Sequence, residues 1–141
     1  MADTIQFEIV TPVSAVYRAE ATEVLLPSTL GEIGILPGHR ALLALIQRGS
    51  VEVREVGNTR RHFRVEPGYV EVDRDKVTLI VSECEGSNDI DIEAARRELA
   101  AVEAEVQSRK VLTETELEQQ RERLERARSR IELVARATGR K

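Results

Sequence analysis

The sequence predicts an α+β fold: a small all-β domain, sandwich or barrel, followed by an antiparallel hairpin of two helices. Three observations lead there. The chain has 141 residues, the size of one domain or one domain with an appendage. All four prolines, all four aromatic residues and seven of the eight glycines precede residue 88. The remainder is rich in Ala, Glu, Arg, Leu and Gln, the best helix formers, and the apolar period changes from two to between three and four. The boundary falls at Gly86-Ser87-Asn88, giving residues 1–87 to the β domain and 88–141 to the helices.

The strands come first. Ile5, Phe7 and Ile9 alternate with Gln6 and Glu8, the signature of a half-buried strand. Val51 with Val53, and Phe63 with Val65, repeat it. Val70 and Val72 alternate with Glu71 and Asp73. Val77, Leu79 and Val81 alternate with Thr78 and Ile80. Asp73-Arg74-Asp75-Lys76 between the last two runs is a polar tight turn, hence a hairpin. Val56-Gly57-Asn58-Thr59 makes another. Short strands with turns about ten residues apart indicate a sandwich or a barrel, and a segment of this size is expected to fold alone.

The first helix carries one apolar stripe, Ile92, Ala95, Leu99, Val102 and Val106. Asp91 is placed to cap it, with Asp89 and Glu93 at the positive end of its dipole. Thr113-Glu114-Thr115-Glu116 is a capping box that starts a second helix. Leu117, Leu124 and Ile131 recur every seven residues there, with Gln120, Ala127 and Val134 at the intermediate positions. The connection at about 109–113 is short enough to fold the helices back on each other. Alanines and Gln120 weaken that seam, since burial stabilises by roughly 25 cal/mol per Å² of apolar surface. Pairs such as Glu93 to Arg97, Glu122 to Arg126 and Glu132 to Arg136 add only about 0.2–0.5 kcal/mol each. The hairpin is thus a candidate mobile element.

Charge sharpens the contrast. The chain carries a net charge of -4, which argues against a general nucleic-acid binder. Residues 89–120 hold four basic and nine acidic side chains, a net of -5, whereas 121–141 hold eight basic and three acidic, a net of +5. A solvated helix pairing with its acidic neighbour accounts for this most simply. A basic helix able to leave for another acidic surface is the sharper alternative.

Catalytic chemistry is poorly supplied. One cysteine, Cys84, excludes an internal disulfide, and with two histidines, His39 and His62, it cannot furnish a dedicated metal site. No phosphate-binding glycine loop followed by a helix and no Gly-x-Ser-x-Gly elbow occurs. Asp73 and Asp75 read as turn formers. The longest aliphatic run, Ala41 to Ile46, is six residues against the roughly 20 of a membrane helix. Met1 to Gln6 has neither a basic region nor an apolar stretch, so no signal or transit peptide is expected. Gly31 to His39 is unusual in setting Ile33, Ile35 and Leu36 among three glycines and a proline. It is either a strand with a bulge or an exposed apolar loop made for a partner.

Four stretches carry a resemblance. They are Phe7-Glu8-Ile9-Val10-Thr11-Pro12 with Val16-Tyr17; Val24-Leu25-Leu26-Pro27-Ser28 leading into Gly31-Glu32-Ile33-Gly34-Ile35-Leu36-Pro37-Gly38-His39; Gly68-Tyr69-Val70-Glu71-Val72 with Val77-Thr78 to Val81; and Asp89-Ile90-Asp91. In these, and in order along essentially the whole chain, the sequence resembles the ε subunits of bacterial F-type ATP synthases. The resemblance implies a ten-stranded β-sandwich with a C-terminal two-helix hairpin. It implies a non-catalytic rotor subunit of the central stalk, bound to the γ subunit and to the c-subunit ring, which couples proton flow to ATP synthesis. It further implies peripheral association with the cytoplasmic face of the bacterial inner membrane.

The family region facing the c-ring corresponds here to Gly31, Glu32, Ile33, Gly34 and His39. In bacterial members the C-terminal helices extend along γ and block ATP hydrolysis at the α/β catalytic head. The matching basic helix carries Arg121, Arg123, Arg126, Arg128 and Arg130. No cofactor is expected. Some members bind ATP through Ile/Leu-Asp-x-x-Arg-Ala; Ile90-Asp91 fits, but Ala94 stands where the arginine belongs. Arg96, two positions on, is turned about 200° round the helix. A β-domain binding module with a helical oligomerisation hairpin is the alternative from another class, and an enzyme would need a pocket with a perturbed acid or nucleophile.

Overall fold

The structure, a computed structural model, describes residues 4–139. It divides into two compact units, Met1–Gly86 and Ser87–Lys141. Among the described residues the first holds nine strands: β1 (Ile5–Val10), β2 (Ala15–Ser28), β3 (Gly31–Ile35), β4 (Leu42–Ile46), β5 (Gly49–Glu55), β6 (Arg60–Val65), β7 (Gly68–Asp73), β8 (Lys76–Val81) and β9 (Cys84–Gly86). The resemblance implied ten. Here the fourteen-residue β2 serves as two strands, since its first half pairs with β1 and its second with β5 and β3. Bulges at Ile9/Val10 and at Ala21/Glu23 let it bend between those partners.

The sheet runs β1-β8-β7-β4-β2-β5-β6-β9, with β3 added to the edge of β2 and β1 also paired to β2. Among the described residues every pairing is antiparallel except β1 with β8, where Gln6 to Val10 lie beside Lys76 to Ile80. The sheet folds over itself as a β-sandwich, and the inward residues of the alternating runs form one core. Ile5, Phe7, Ile9, Val51, Val53, Phe63, Val65, Val70, Val72, Val77, Leu79 and Val81 are all buried. Tyr17 packs its ring between Phe7 and Phe63 and donates its hydroxyl to Glu55. Burial, then that hydrogen bond, pushes the phenol's pKa upward.

Both sequence-read hairpins are present. Asp73 faces Lys76 across a two-residue turn in which Arg74 takes a positive φ of 58°. Arg54 faces Arg60, and the chain between reverses through Gly57 and Asn58, both at positive φ.

In the second unit, a 3-10 turn at Ser87–Asp89 precedes α1 (Ile92–Gln107) and α2 (Glu114–Ala137). Asp91 caps α1 by accepting from the Ala94 amide at 3.1 Å. Thr113 and Glu116 form the full reciprocal capping box of α2. The Thr113 amide, donating to its carboxylate at 3.1 Å, holds the Glu116 pKa down. The two helices pack on each other, and the 3-10 turn packs on α2.

The helical stripes need correction at three points. Val106 and Leu117, at the turn end of the hairpin, are exposed. Leu133 is buried although it lies off the seven-residue repeat, about 240° round from the buried Ala127. Finally, Glu93 pairs with Arg96 at 2.8 Å, one residue nearer than the Arg97 expected, whereas Glu132 and Arg136 do pair at 3.1 Å.

Candidate functional site

Gly31 to His39 is neither a bulged strand nor a loose loop. Its first five residues are β3, in unbroken register with β2 from Ser28 opposite Gly31 to Val24 opposite Ile35. The turn before it is tied down. Ser28 Oγ donates to the Gly31 carbonyl at 2.5 Å and accepts from the Leu30 amide at 3.2 Å. The Thr29 amide donates to the Leu45 carbonyl on β4 at 3.1 Å. Gly31 itself sits at φ 120°, a region that side chains disfavour.

On this frame the five expected c-ring residues fall into two groups. Gly31, Glu32 and Gly34 are exposed along β3, with Glu32 opposite Pro27. Ile33 is half-buried against the core, and its neighbour Ile35 lies in it. His39 stands beyond the strand, its Nδ1 2.8 Å from the Arg40 carbonyl oxygen. The loop carrying it is fastened from elsewhere: the Gly38 amide donates to Asp75 Oδ1 at 3.2 Å, and the His39 amide to the Leu36 carbonyl at 3.1 Å. Asp75, read from sequence as a turn former, therefore also holds this loop.

The isoleucines thus face inward, and the exposed apolar surface lies elsewhere. Leu30, at the turn tip, is 98% exposed, and Leu43 and Leu45 on β4 are 69% and 65% exposed. Leu45 faces Tyr69 on β7, itself 42% exposed, and Tyr69 faces Ile80 on β8. A band of apolar side chains therefore crosses the outer surface of three adjacent strands. Exposed apolar patches of this kind mark interaction surfaces. The signal was available in Leu42-Leu43-Ala44-Leu45-Ile46. A strand with no polar alternation has an apolar outer face as well as an inner one.

On α2 the five arginines do not make one patch. At 100° per residue, Arg121 and Arg128 share one face and Arg123, Arg126 and Arg130 the opposite one. The first two are exposed and the other three half-buried. Arg123 spans back to α1, donating to Glu98 at 2.6 Å and to Glu105 at 2.9 Å. Its hydrogen bond holds the Glu98 pKa down. The Nε of Arg126 is buried without a hydrogen-bond partner. The simpler reading of the basic charge thus holds at Arg123.

That pairing gives a measurable expectation. Both side chains are about two-fifths exposed, so solvent screening limits the pair to roughly 0.2–1 kcal/mol. A double-mutant cycle with Glu98→Gln and Arg123→Ala should return a coupling in that range. Because the Glu98 pKa is lowered in the folded chain, the coupling should be present above the ordinary value of 4.5 and disappear as pH falls through the lower folded value. A coupling that persists in strong acid would contradict the ion pair.

Among the described residues, no group of three or more His, Cys, Asp or Glu could hold a metal ion, and no helix is long and apolar enough to cross a membrane. A β-sandwich with an exposed apolar band is thus followed by a two-helix hairpin of segregated charge. The profile of the family "ATP synthase, Delta/Epsilon chain, beta-sandwich domain" matches residues 4–87. The ATP synthase epsilon chain of Geobacter sp. (strain M21) is 34% identical, covering 99% of this chain and 100% of its own length. ATP synthase epsilon chain 2 of Syntrophotalea carbinolica is 35% identical over 96% and 97%. The chain belongs to the ATP synthase delta/epsilon family, whose members are not the catalytic subunit. The fold recurs in the Euglena gracilis mitochondrial ATP synthase solved as OSCP/F1/c-ring, with a TM-score of 0.72 at 17% identity over 99% of this chain and 81% of that one. It recurs again in the central stalk/c-ring structure of the Tetrahymena thermophila enzyme, with a TM-score of 0.61 at 16% identity over 92% and 96%.

Proposed function

We propose that this chain is the rotor central-stalk subunit of a bacterial F-type ATP synthase, coupling proton flow to ATP synthesis and restraining ATP hydrolysis. Residues 1–87 serve as the binding unit and 88–141 as the regulatory unit. The observation that carries this reading is the apolar band of Leu43, Leu45 and Tyr69 beside the tied-down β2–β3 turn, in a chain of this family. The band is the docking face for γ. Gly31, Glu32, Ile33, Gly34 and His39 lie toward the polar loops of the c-ring. The complex holds the chain peripherally at the cytoplasmic face of the inner membrane, without a cofactor of its own.

Restraint of hydrolysis is assigned to the second half of α2. Its own capping box lets it stay helical on leaving α1. The outward Arg121 and Arg128 are available at once to an acidic surface of the α/β head; Arg123, Arg126 and Arg130 become available on separation. The decisive experiment is ATP hydrolysis by a γ-containing catalytic complex, measured with no added chain, with the whole chain, and with a chain lacking residues 121–141. The whole chain should lower the rate. The shortened chain should bind but not lower it, and the restraint should weaken with salt, since exposed charges are screened over about 8–10 Å. Equal inhibition by both chains would remove this helix from the mechanism.

Glu32 is tested separately. Exposed and without a role in the core, it tolerates Glu32→Lys without loss of fold, because surface changes of this kind cost within about 0.5 kcal/mol. Reversal of its charge should weaken binding to isolated c-ring several-fold while binding to γ is unchanged. Wild-type affinity for the ring would count against the assignment.

A further inference from the structure

β9 is a poor strand by ordinary measures. It has three residues, among the described residues it pairs only with β6, and none of the three is fully buried. Short edge elements of this kind fray readily. Yet it is the last piece of the sandwich before the chain enters the helical unit at Ser87.

Its neighbour on β6 is the anomaly of the fold. Arg64 is fully buried, the largest side chain to be so. It faces Glu85 across the β6–β9 ladder, donating through Nε at 2.7 Å. One terminal nitrogen donates to Glu83 at 2.8 Å, and the other bonds Glu66. Glu66 is held in turn by Arg48, from the turn after β4, at 2.8 and 2.9 Å. Two arginines and three carboxylates thus form one network, and the backbone follows it, with the Glu66 amide donating to the Glu83 carbonyl at 3.0 Å.

A buried guanidinium is tolerated only when its donors are met. Here Glu85 lies in the short β9 and Glu83 immediately precedes it, so two of the three carboxylates that meet them come from the segment 83–86. If β9 peeled from β6, Arg64 would keep its charge and lose most of its partners. The penalty for opening this edge therefore includes the loss of these charge-assisted hydrogen bonds as well as apolar contact.

From this we infer that the Arg64 network is an electrostatic anchor that clamps β9 to β6 and makes Gly86 the fixed root from which the helical unit departs. Movement of that unit is then confined to residues beyond Gly86 and is not passed back into the sandwich. The anchor belongs to the sandwich edge alone and holds whatever the chain docks to.

Hydrogen exchange of the whole protein tests it, read at segment 83–86 and Glu66 against segment 68–81 as the internal reference. In the wild type, 83–86 should be protected well beyond a loop. Arg64→Met should raise exchange at 83–86 at least tenfold more than at 68–81. Should that variant fail to fold, the milder Glu83→Gln/Glu85→Gln protein decides, with a smaller increase confined to the same segment. Loop-like exchange at 83–86 in the wild type, an unchanged rate in the milder variant, or an equal rise across both segments would each overturn the anchor.

Discussion

Gly68→Ala should cost about 3 kcal/mol or more, a larger loss than any surface substitution in the chain. Gly68 opens β7 between Ile46 of β4 and Val81 of β8. A Cβ placed on it would lie 1.9 Å from the Ile80 carbonyl oxygen and 2.8 Å from the Val81 Cα. Both obstacles are backbone, so no rotamer change can relieve them; β8 itself must move. Overpacking a well-filled site costs about 1–3 kcal/mol and occasionally more, and a backbone obstacle belongs at the upper end. For a β unit of this size each kcal/mol moves Tm by roughly 4–8 °C, so thermal denaturation followed by circular dichroism should show a fall of about 12–24 °C. Gly34→Ala is the control, because its new Cβ would meet only flexible side-chain ends, Leu25 Cδ2 at 3.3 Å and Glu23 Oε2 at 3.8 Å. A Gly68→Ala protein within about 1 kcal/mol of wild type would mean that β7 and β8 have slack the packing does not suggest.

Replacing both Leu43 and Leu45 by Asp should abolish γ binding without harming the fold. Both side chains point outward on β4 and are already mostly solvated, so their replacement leaves the core intact. Burying a leucine fully stabilises a contact by about 1.5–3 kcal/mol. Losing two, and forcing two carboxylates to shed water instead, should lower affinity by roughly 100-fold or more, at 1.4 kcal/mol for each tenfold. Tyr69→Ala, across the ladder from Leu45, should reproduce part of the loss. The measurement is titration of γ with each variant, beside its melting curve. Undiminished affinity with an unchanged melt would move the γ face elsewhere.

What the sequence conveys is mostly what depends on neighbours in the chain. Ile5-Phe7-Ile9 and Val77-Leu79-Val81 announce their strands because burial on one face of a pleat leaves a period of two. Asp91 and Thr113 announce helix starts because a cap works over three residues. Arg64 gives no such notice. Alternation with Phe63 and Val65 would leave it in solvent; it is buried because Glu83 and Glu85, some twenty residues later, come back beside it. Leu133 likewise escapes a heptad reading, being buried although it lies off the seven-residue repeat. At the candidate site the register of β3 was hidden by its glycines, which carry no side chain to alternate. The role of Asp75 depends on a loop 37 residues away.

The parallel pairing of β1 with β8 has a temporal consequence. Gln6 waits for Lys76, seventy residues further on. At about 5–20 residues per second of synthesis, some 4–14 s separate the appearance of the two partners. During that interval β1 has only its hairpin partner β2 to cover it, while the buried row Ile5, Phe7 and Ile9 has no β8 beside it. The nascent chain therefore passes through a stage in which the β8-facing edge of β1 is open, and that gap closes only when the eighth strand arrives.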